Sequence, residues 1–345
     1  MPDQGFASVT RAWTVPPGQD GIRLDDFVRR CLPHLSLRET RRAIEAGAFR
    51  VDQRLGKKGD RLCGGCVLAL RGFPDLLAES PVPTRDLKVS ILYEDDCLLA
   101  LDKPAGVATH GFSGRETRAL ANYLAAIRPA LVGVGGNRWE AGFVHRLDRD
   151  TSGIVLAAKD QEAFDHLRSQ FRRARVRKKY WALVWGKAGS GGVIDDPLIH
   201  DPQDRRKMKL SGREGGRKRA AKRWKARTRF QTVAYSRGFS LLRVEMETGV
   251  THQIRVHLAD QGYPVVGDRI YGRKRHGLDG NREPLPGVTD FPRQALHAER
   301  LGFSHPRTGA PVAFYAPLPL DMQRLLDSLR EWHSISERRK VGKGG

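Results

Sequence analysis

Residues 144–153 read VHRLDRDTSG, and residues 154–158 continue as IVLAA. The first ten residues hold two acids, Asp148 and Asp150, and two arginines, Arg146 and Arg149, and close on the turn-forming Thr151-Ser152-Gly153. The next five carry no polar side chain. A short unbroken apolar run bounded by turn residues is the pattern of a strand covered on both faces. Asp148 therefore stands at the edge of a buried strand. In an extended stretch it shares a face with Arg146, two residues before it. Carboxylates of this kind are ionised at neutral pH, and neighbouring guanidinium groups favour the charged form. Such a group can serve as a nucleophile or base without further activation. An ion-pair network that closes a turn would use the same residues, and residue chemistry alone leaves both readings open.

The rest of the chain narrows the setting. Its 345 residues allow two domains and a substantial core. Hydrophobic residues make up 39% and charged residues 29%, and no apolar run is long enough to span a bilayer. The opening MPDQGFASVTRAW lacks a basic start and an apolar core, so no secretory signal is expected and the cytoplasm is the default location. The formal net charge is +22. An excess of that size points to a polyanionic partner, nucleic acid before anionic membrane. No basic amphipathic anchor supports a membrane.

Cofactor chemistry finds little footing. Cys63 and Cys66 form CGGC, but zinc would need two further ligands and no second CxxC follows. A redox pair would open a helix, whereas CGGC leads into the strand-like VLALRG, so a structural or incidental use is expected. His252 and His257 have no carboxylate or cysteine at ligand spacing beside them. Neither GxxxxGK[ST] nor GxGxxG occurs in a strand–helix context. No metal and no cofactor are expected.

Residues 21–70 read as a small basic α+β module. Leu24, Phe27, Val28, Cys31 and Leu32 recur at helical spacing. After Pro33, Ser36-Leu37-Arg38-Glu39 has the capping-box pattern, and Gly47 is a suitable helix stop. Arg38, Arg41 and Arg42 fall on one face of that helix, with Glu45 the nearest acid, and are expected to contact phosphate. The strand-like pieces FRVDQ and CVLAL follow. Through RLDDFVRRCLPHLSLRETRRAIEAGAFRV and GDRLCGGCVLAL this segment resembles an S4 RNA-binding domain. Residues 71–88, with three prolines and no period, read as a linker. From 89 to 330, strand patterns (VSILYED, CLLALDK, GIVLAAK, YWALVWG, FSLLRVEME) mix with a helix over QEAFDHLRSQFRR. The mixture implies α+β architecture on a large mixed, mainly antiparallel sheet. Residues 201–229 carry 13 Lys or Arg against 3 acids, the pattern of a mobile loop suited to electrostatic RNA capture. Residues 331–345 read as a basic tail.

The stretch HRLDRDTSG resembles the signature of RluA-type pseudouridine synthases, unbroken from His145 to Gly153. ILYEDDCLLALDKPAGVATHG, the Lys178-Lys179-Tyr180 opening of YWALVWG, THQIRVH at 251–257 with LADQGYPVVGDRIYG after it, and ALHAERLGFSHPRTG resemble further blocks of that family. With the S4-like module the resemblance covers about 21–320. It implies an isomerase that converts uridine to pseudouridine in RNA, with Asp148 catalytic, Tyr180 against the target base and Arg255 paired with Asp148. Arg146 is a candidate for filling the space the base vacates. The layout, with the phrases THGFSG and VHRLDRDTSG, looks most like the large-subunit ribosomal RNA branch, subtype C. Transfer RNA as substrate and a non-catalytic assembly factor are the alternatives, and a monomer is implied. The family commonly has GRTHQIR, and here Val250 replaces that arginine. His145 and His252 are expected to brace loops through hydrogen bonds and to leave proton transfer to others.

Overall fold

The apolar run after the acidic turn becomes the strand Ser152–Ala158, buried at every residue. Its alternate side chains enter different cores. Val155 and Ala157 join Leu99, Leu101, Leu183 and Leu296, while Ile154, Leu156 and Ala158 join Phe164, Leu167 and Phe303. Both faces are apolar because both are covered. The computed structural model describes residues 9–78, 80–111, 116–204, 206–212, 222–272 and 287–329.

This strand belongs to a nine-stranded mixed sheet. Its antiparallel neighbour is Leu98–Lys103, in register from Leu98↔Ala158 to Lys103↔Gly153. Its other neighbour, Leu296–Ser304, is parallel and pairs only at Ser152 and Gly153. The sheet then runs antiparallel through Arg177–Trp185, Phe239–Met246, Thr228–Ser236 and Gly191–Ile194. The helix Gln161–Arg172 starts where its composition predicts, with Asp160 capping the Ala163 N–H, and lays Ala163, Phe164 and Leu167 on the sheet.

A second sheet is built from Val9–Thr14, Val67–Arg71, Phe49–Val51 and Arg54–Leu55, all antiparallel. The helices Leu24–Cys31 and Leu37–Glu45 share a core with it through Leu24, Val28, Ile44, Phe49 and Leu68. The capping box is formed: Ser36 N–H donates to Glu39 Oε2 and Glu39 N–H to Ser36 Oγ. Gly47 is left-handed at φ 80°. This small α+β region is consistent with an S4-like domain. The strand Val9–Thr14, upstream of residue 21, completes it, because Val67–Arg71 would otherwise expose an unpaired edge. CGGC is a turn in which the Cys66 thiol donates to the Cys63 carbonyl and accepts the Cys63 N–H.

Part of the basic stretch 201–229 is built. Met208–Leu210 pairs with Leu198–His200, Trp224 bridges Leu198, and Thr228 opens a long strand. The expectation of a loop throughout is corrected there, since Leu198, Met208 and Ala226 form a small apolar core with Val256. Residues 205 and 213–221 of that stretch, Phe112-Ser113-Gly114 of THGFSG and the tail 331–345 lie outside the described residues. Among the described residues no helix is long and apolar enough to cross a membrane.

Candidate active site

The segment 144–151 has no regular structure, and beyond the backbone bonds Val144 N–H to Leu156 O and Thr151 N–H to Asp148 O it is held by side chains. Lys103, fully buried at the end of its strand, donates from Nζ to Pro104 O, Val107 O and Arg149 O at 3.0, 2.7 and 2.8 Å. Burial pushes its pKa down to about 7. The Thr109 hydroxyl receives the Leu147 N–H and donates to the Leu147 carbonyl. Arg293, clamped by Asp321, donates to Asp150 O, and Gln294 donates to Thr151 Oγ1. At Gly153 (φ 114°) a Cβ would lie 2.2 Å from Ala298 O, so only glycine permits the parallel pairing that ends the loop. Asp148 is thus presented by a segment tied down on both sides of it, at Leu147 and at Arg149.

Arg255 stands on the helix Gln253–Asp260, and its guanidinium divides between two carboxylates. Nη1 donates to Asp148 Oδ2 at 2.8 Å. Nε and Nη2 donate to the two oxygens of Asp268 at 2.7 and 2.9 Å. Side-chain exposure falls from 20% at Asp148 through 4% at Arg255 to 0% at Asp268. Burial opposes the Arg255 charge, but the carboxylates, Asp268 first, more than reverse this and raise its pKa. Burial likewise opposes the Asp268 charge, and the Arg255 bonds outweigh it and hold that carboxyl below its usual range. Asp148 Oδ1 faces His252 Nε2 at 3.9 Å.

Asp148, Arg146, Tyr180, His252 and Arg255 line one cavity of about 380 Å³. Tyr180 is 5% exposed on the strand Arg177–Trp185. Burial, with the Asp148 charge added, raises its phenol pKa, so Tyr180 is neutral across the physiological range. Lys178, two residues earlier and on the same face, lines the cavity and donates to Thr248 O. Arg146 is exposed. Val250, at the position of the family arginine, also lines the cavity and packs on the apolar cluster of Leu198 and Met208.

The structure brings together Asp148, Tyr180, Arg255 and Arg146, and leaves Arg38, Arg41 and Arg42 on the N-terminal region. Arg38 and Arg42 are exposed there. Arg41 instead pairs with Asp25 at 3.0 Å, an acid from the preceding helix that Arg23 also holds. Tertiary packing supplies that acid, where sequence reading had Glu45 as the nearest one. His145 braces the loop as expected: its Nε2 accepts the Leu156 N–H, its ring stacks on Phe171, and burial pushes its pKa down to about 3. His257 turns to Thr228 and the Asp196 carbonyl, away from any pairing with His252.

Sequence reading missed Asp268, Tyr271 and Arg293 as parts of the site. Asp268 and Tyr271 occur in GDRIYG, where an acid between glycines is the available signal. Added Cβ atoms at Gly267 and Gly272 would meet Arg293 O and Asp268 O at 1.9 and 2.4 Å. Asp95, Cys97 and His305 bring their donor atoms close together, but they do not line the cavity. His305 Nδ1 accepts the Arg307 and Thr308 N–H groups, which leaves the Nε2 proton to bond Asp95. Those bonds tie the turn at 305–308 to Asp95.

Comparisons with known proteins find similarity to RNA pseudouridine synthases. The RNA pseudouridylate synthase profile matches residues 97–260. The Xylella fastidiosa protein named ribosomal large subunit pseudouridine synthase D is 36% identical, covering 94% of each chain. The Pseudomonas aeruginosa protein of the same name is also 36% identical, over 94% of this chain and 97% of that one. The solved structure of human RNA pseudouridylate synthase domain containing 4 superposes with a TM-score of 0.55 at 25% identity, covering 70% of this chain and 93% of the other.

Proposed function

This chain belongs to the RNA pseudouridylate synthase family, of the RluA type, and from that premise we propose that it isomerises uridines of large-subunit ribosomal RNA, with Asp148 as nucleophile on a base turned out of its stack. The names of its relatives support the substrate. They carry subtype D, where the sequence phrases look most like C, and the comparisons do not separate the two. The observation that carries the chemistry is the chain Asp148–Arg255–Asp268 on the wall of the cavity.

Pseudouridine formation breaks the N1–C1′ bond, turns the uracil and joins C5 to C1′. The C5 proton leaves and N1 gains one, so no redox partner or energy source is consumed. Arg255 occupies Asp148 Oδ2, and Oδ1 is the oxygen that attacks the substrate. Attack at C1′, attack at C6 and proton removal from the sugar all begin from this placement. Tyr180 offers a dry aromatic face to the uracil. As a neutral phenol it hydrogen-bonds and stacks, and the phenolate needed for direct removal of the C5 proton is scarce. Extruding a base from RNA costs a few kcal/mol, and Arg146 can stack and hydrogen-bond in the gap it leaves. The net charge of +22 supplies salt-dependent affinity for the RNA backbone. A monomer working in the cytoplasm completes the proposal.

The test is to map pseudouridines in the ribosomal and transfer RNA of cells lacking the gene, then complement with wild type or Asp148→Ala. Loss of sites in large-subunit RNA, restored by wild type only, is expected. Restoration by the Ala variant would refute the role of Asp148, loss confined to transfer RNA would refute the substrate, and no loss anywhere would favour a non-catalytic RNA-binding role.

A further inference from the structure

His252 combines a strained backbone with a fixed proton. It precedes the helix Gln253–Asp260 at φ 56° and ψ 16°, a left-handed conformation uncommon for a residue with a Cβ. Such strain persists where the surroundings enforce it, and it concentrates at functional sites. Its ring lies edge-on to Tyr271, with Nδ1 2.9 Å from the phenol oxygen. That oxygen already accepts the Met208 N–H at 2.9 Å. The phenol has one hydrogen to give, and the Nδ1 lone pair is within its reach. Donation from Tyr271 to Nδ1 selects the neutral tautomer with the proton on Nε2. Burial favours the neutral ring as well.

The Nε2–H therefore points towards Asp148 Oδ1, 3.9 Å away and beyond hydrogen-bond length. Both atoms belong to residues that line the cavity, so neighbouring atoms of one bound nucleotide can meet the two groups. The oxygens bonded near C1′ in uridine are the uracil O2, the ribose 2′-hydroxyl and the ring oxygen. Only O2 gains negative charge as the N1–C1′ bond breaks, because the departing uracil anion spreads over N1, O2 and O4.

We infer that His252 is a catalytic hydrogen-bond donor whose Nε2–H meets O2 of the target uracil and stabilises the anion as it leaves. The neutral ring suits this task. An imidazolium beside Asp148 would pair with the nucleophile and weaken it, whereas an N–H fixed by Tyr271 is already aimed where charge develops. This role goes beyond loop bracing and rests on the reading that Asp148 engages the target uridine.

The test is single-turnover conversion of the RNA fragment containing the site mapped for wild type, made with uridine, 2-thiouridine or 2′-deoxyuridine at that position. Sulfur is a poor acceptor, so the thio substrate removes the proposed bond from the substrate side. His252→Phe should slow the uridine substrate roughly 100-fold, the usual loss for one such donor, with RNA affinity kept. His252→Gln, which carries an N–H at similar reach, should recover part of that loss. On 2-thiouridine the Phe variant should fall within about threefold of wild type, because the two changes delete one shared interaction. On 2′-deoxyuridine the full loss should persist. Equal slowing on uridine and 2-thiouridine would overturn the inference in favour of bracing, and a loss that vanishes on the deoxy substrate would overturn it in favour of a ribose contact. If the Phe variant does not fold, Tyr271→Phe takes its place in the same cycle. Wild type that converts no uridine in unmodified large-subunit RNA would defeat the functional reading itself, a result visible before any variant is compared.

Discussion

Asp268→Asn tests the device that orients Asp148, the proposed nucleophile. Asp268 is fully buried, takes both the Nε and Nη2 bonds of Arg255, and accepts the Ile270 and Tyr271 N–H groups on Oδ1. Asparagine keeps the shape and can keep the backbone bonds on its one oxygen. Its amide nitrogen then faces Arg255 Nε, donor against donor. Arg255 is left buried with half its carboxylate partners gone. Removing one partner of a buried pair costs roughly 3–5 kcal/mol, and the kept backbone bonds put this case near the lower end. For a chain of 345 residues that is a fall in Tm of about 4 °C. The pH dependence has a definite sign. Asp268 is held below its ordinary pKa in the folded protein, so its stabilisation is complete above the unfolded value of about 4 and fades as pH falls through the lowered value. The stability gap between wild type and variant should be full at pH 7 and narrow as pH drops below about 4. Denaturant unfolding across that range reads the gap, and single-turnover conversion reads the chemistry, which should slow because Arg255 turns more of its fork onto Asp148. A variant with wild-type stability and rate, or a gap independent of pH, would refute the assignment of Asp268 as the counterion that frees Asp148.

Three further outcomes are expected. Lys103→Met leaves three carbonyls without their donor, each worth about 1–3 kcal/mol when buried. Because the Lys103 pKa is depressed to about 7, wild-type stability should rise from pH 7 towards 10 relative to Lys103→Met in denaturant titrations, and a flat difference would contradict this. Gly153→Ala places a Cβ 2.2 Å from Ala298 O and should cost at least about 2 kcal/mol by thermal melt, with a larger proportional loss of activity than of stability. Replacing Lys207, Lys209, Lys222, Arg223 and Lys225 together with Gln should weaken RNA binding and flatten its salt dependence, by about one unit of slope for each phosphate no longer neutralised. Unchanged binding would make this segment a passive insertion.

What could be read from the sequence was local. The strand Ser152–Ala158 follows from a short apolar run bounded by turn residues, and the second helix of the N-terminal region from a capping box within four residues. Asp148 was legible as an acid among arginines, and the family pattern selected Arg255 as its partner across 107 positions. What stayed hidden depends on contacts between segments distant in sequence. Nothing in the composition near Arg41 announces Asp25, and nothing near Asp150 announces Arg293, 143 residues away. The strand Val9–Thr14 was missed because its value lies in covering an edge, a property of the folded sheet.

The division of Arg255 between two acids is what would let a paired aspartate act as the proposed nucleophile. A guanidinium alone with Asp148 would grip both carboxylate oxygens in a fork and lower the nucleophilicity of each. Here Asp268, deeper and fully buried, claims Nε and Nη2, and only Nη1 is left for Asp148. One oxygen of Asp148 is anchored and the other is turned to the cavity wall where His252 stands. The triad also carries one net negative charge, two carboxylates against one guanidinium. Its cation is satisfied from behind, so the exposed carboxylate need not serve as the neutralising partner. Burial increases along the same line, from Asp148 to Asp268. The two-bond interaction therefore lies where water is absent, and the single bond to Asp148 lies at the cavity. A site meant only to close a turn would have no reason to bury a second acid behind the arginine, since one well-made pair would suffice.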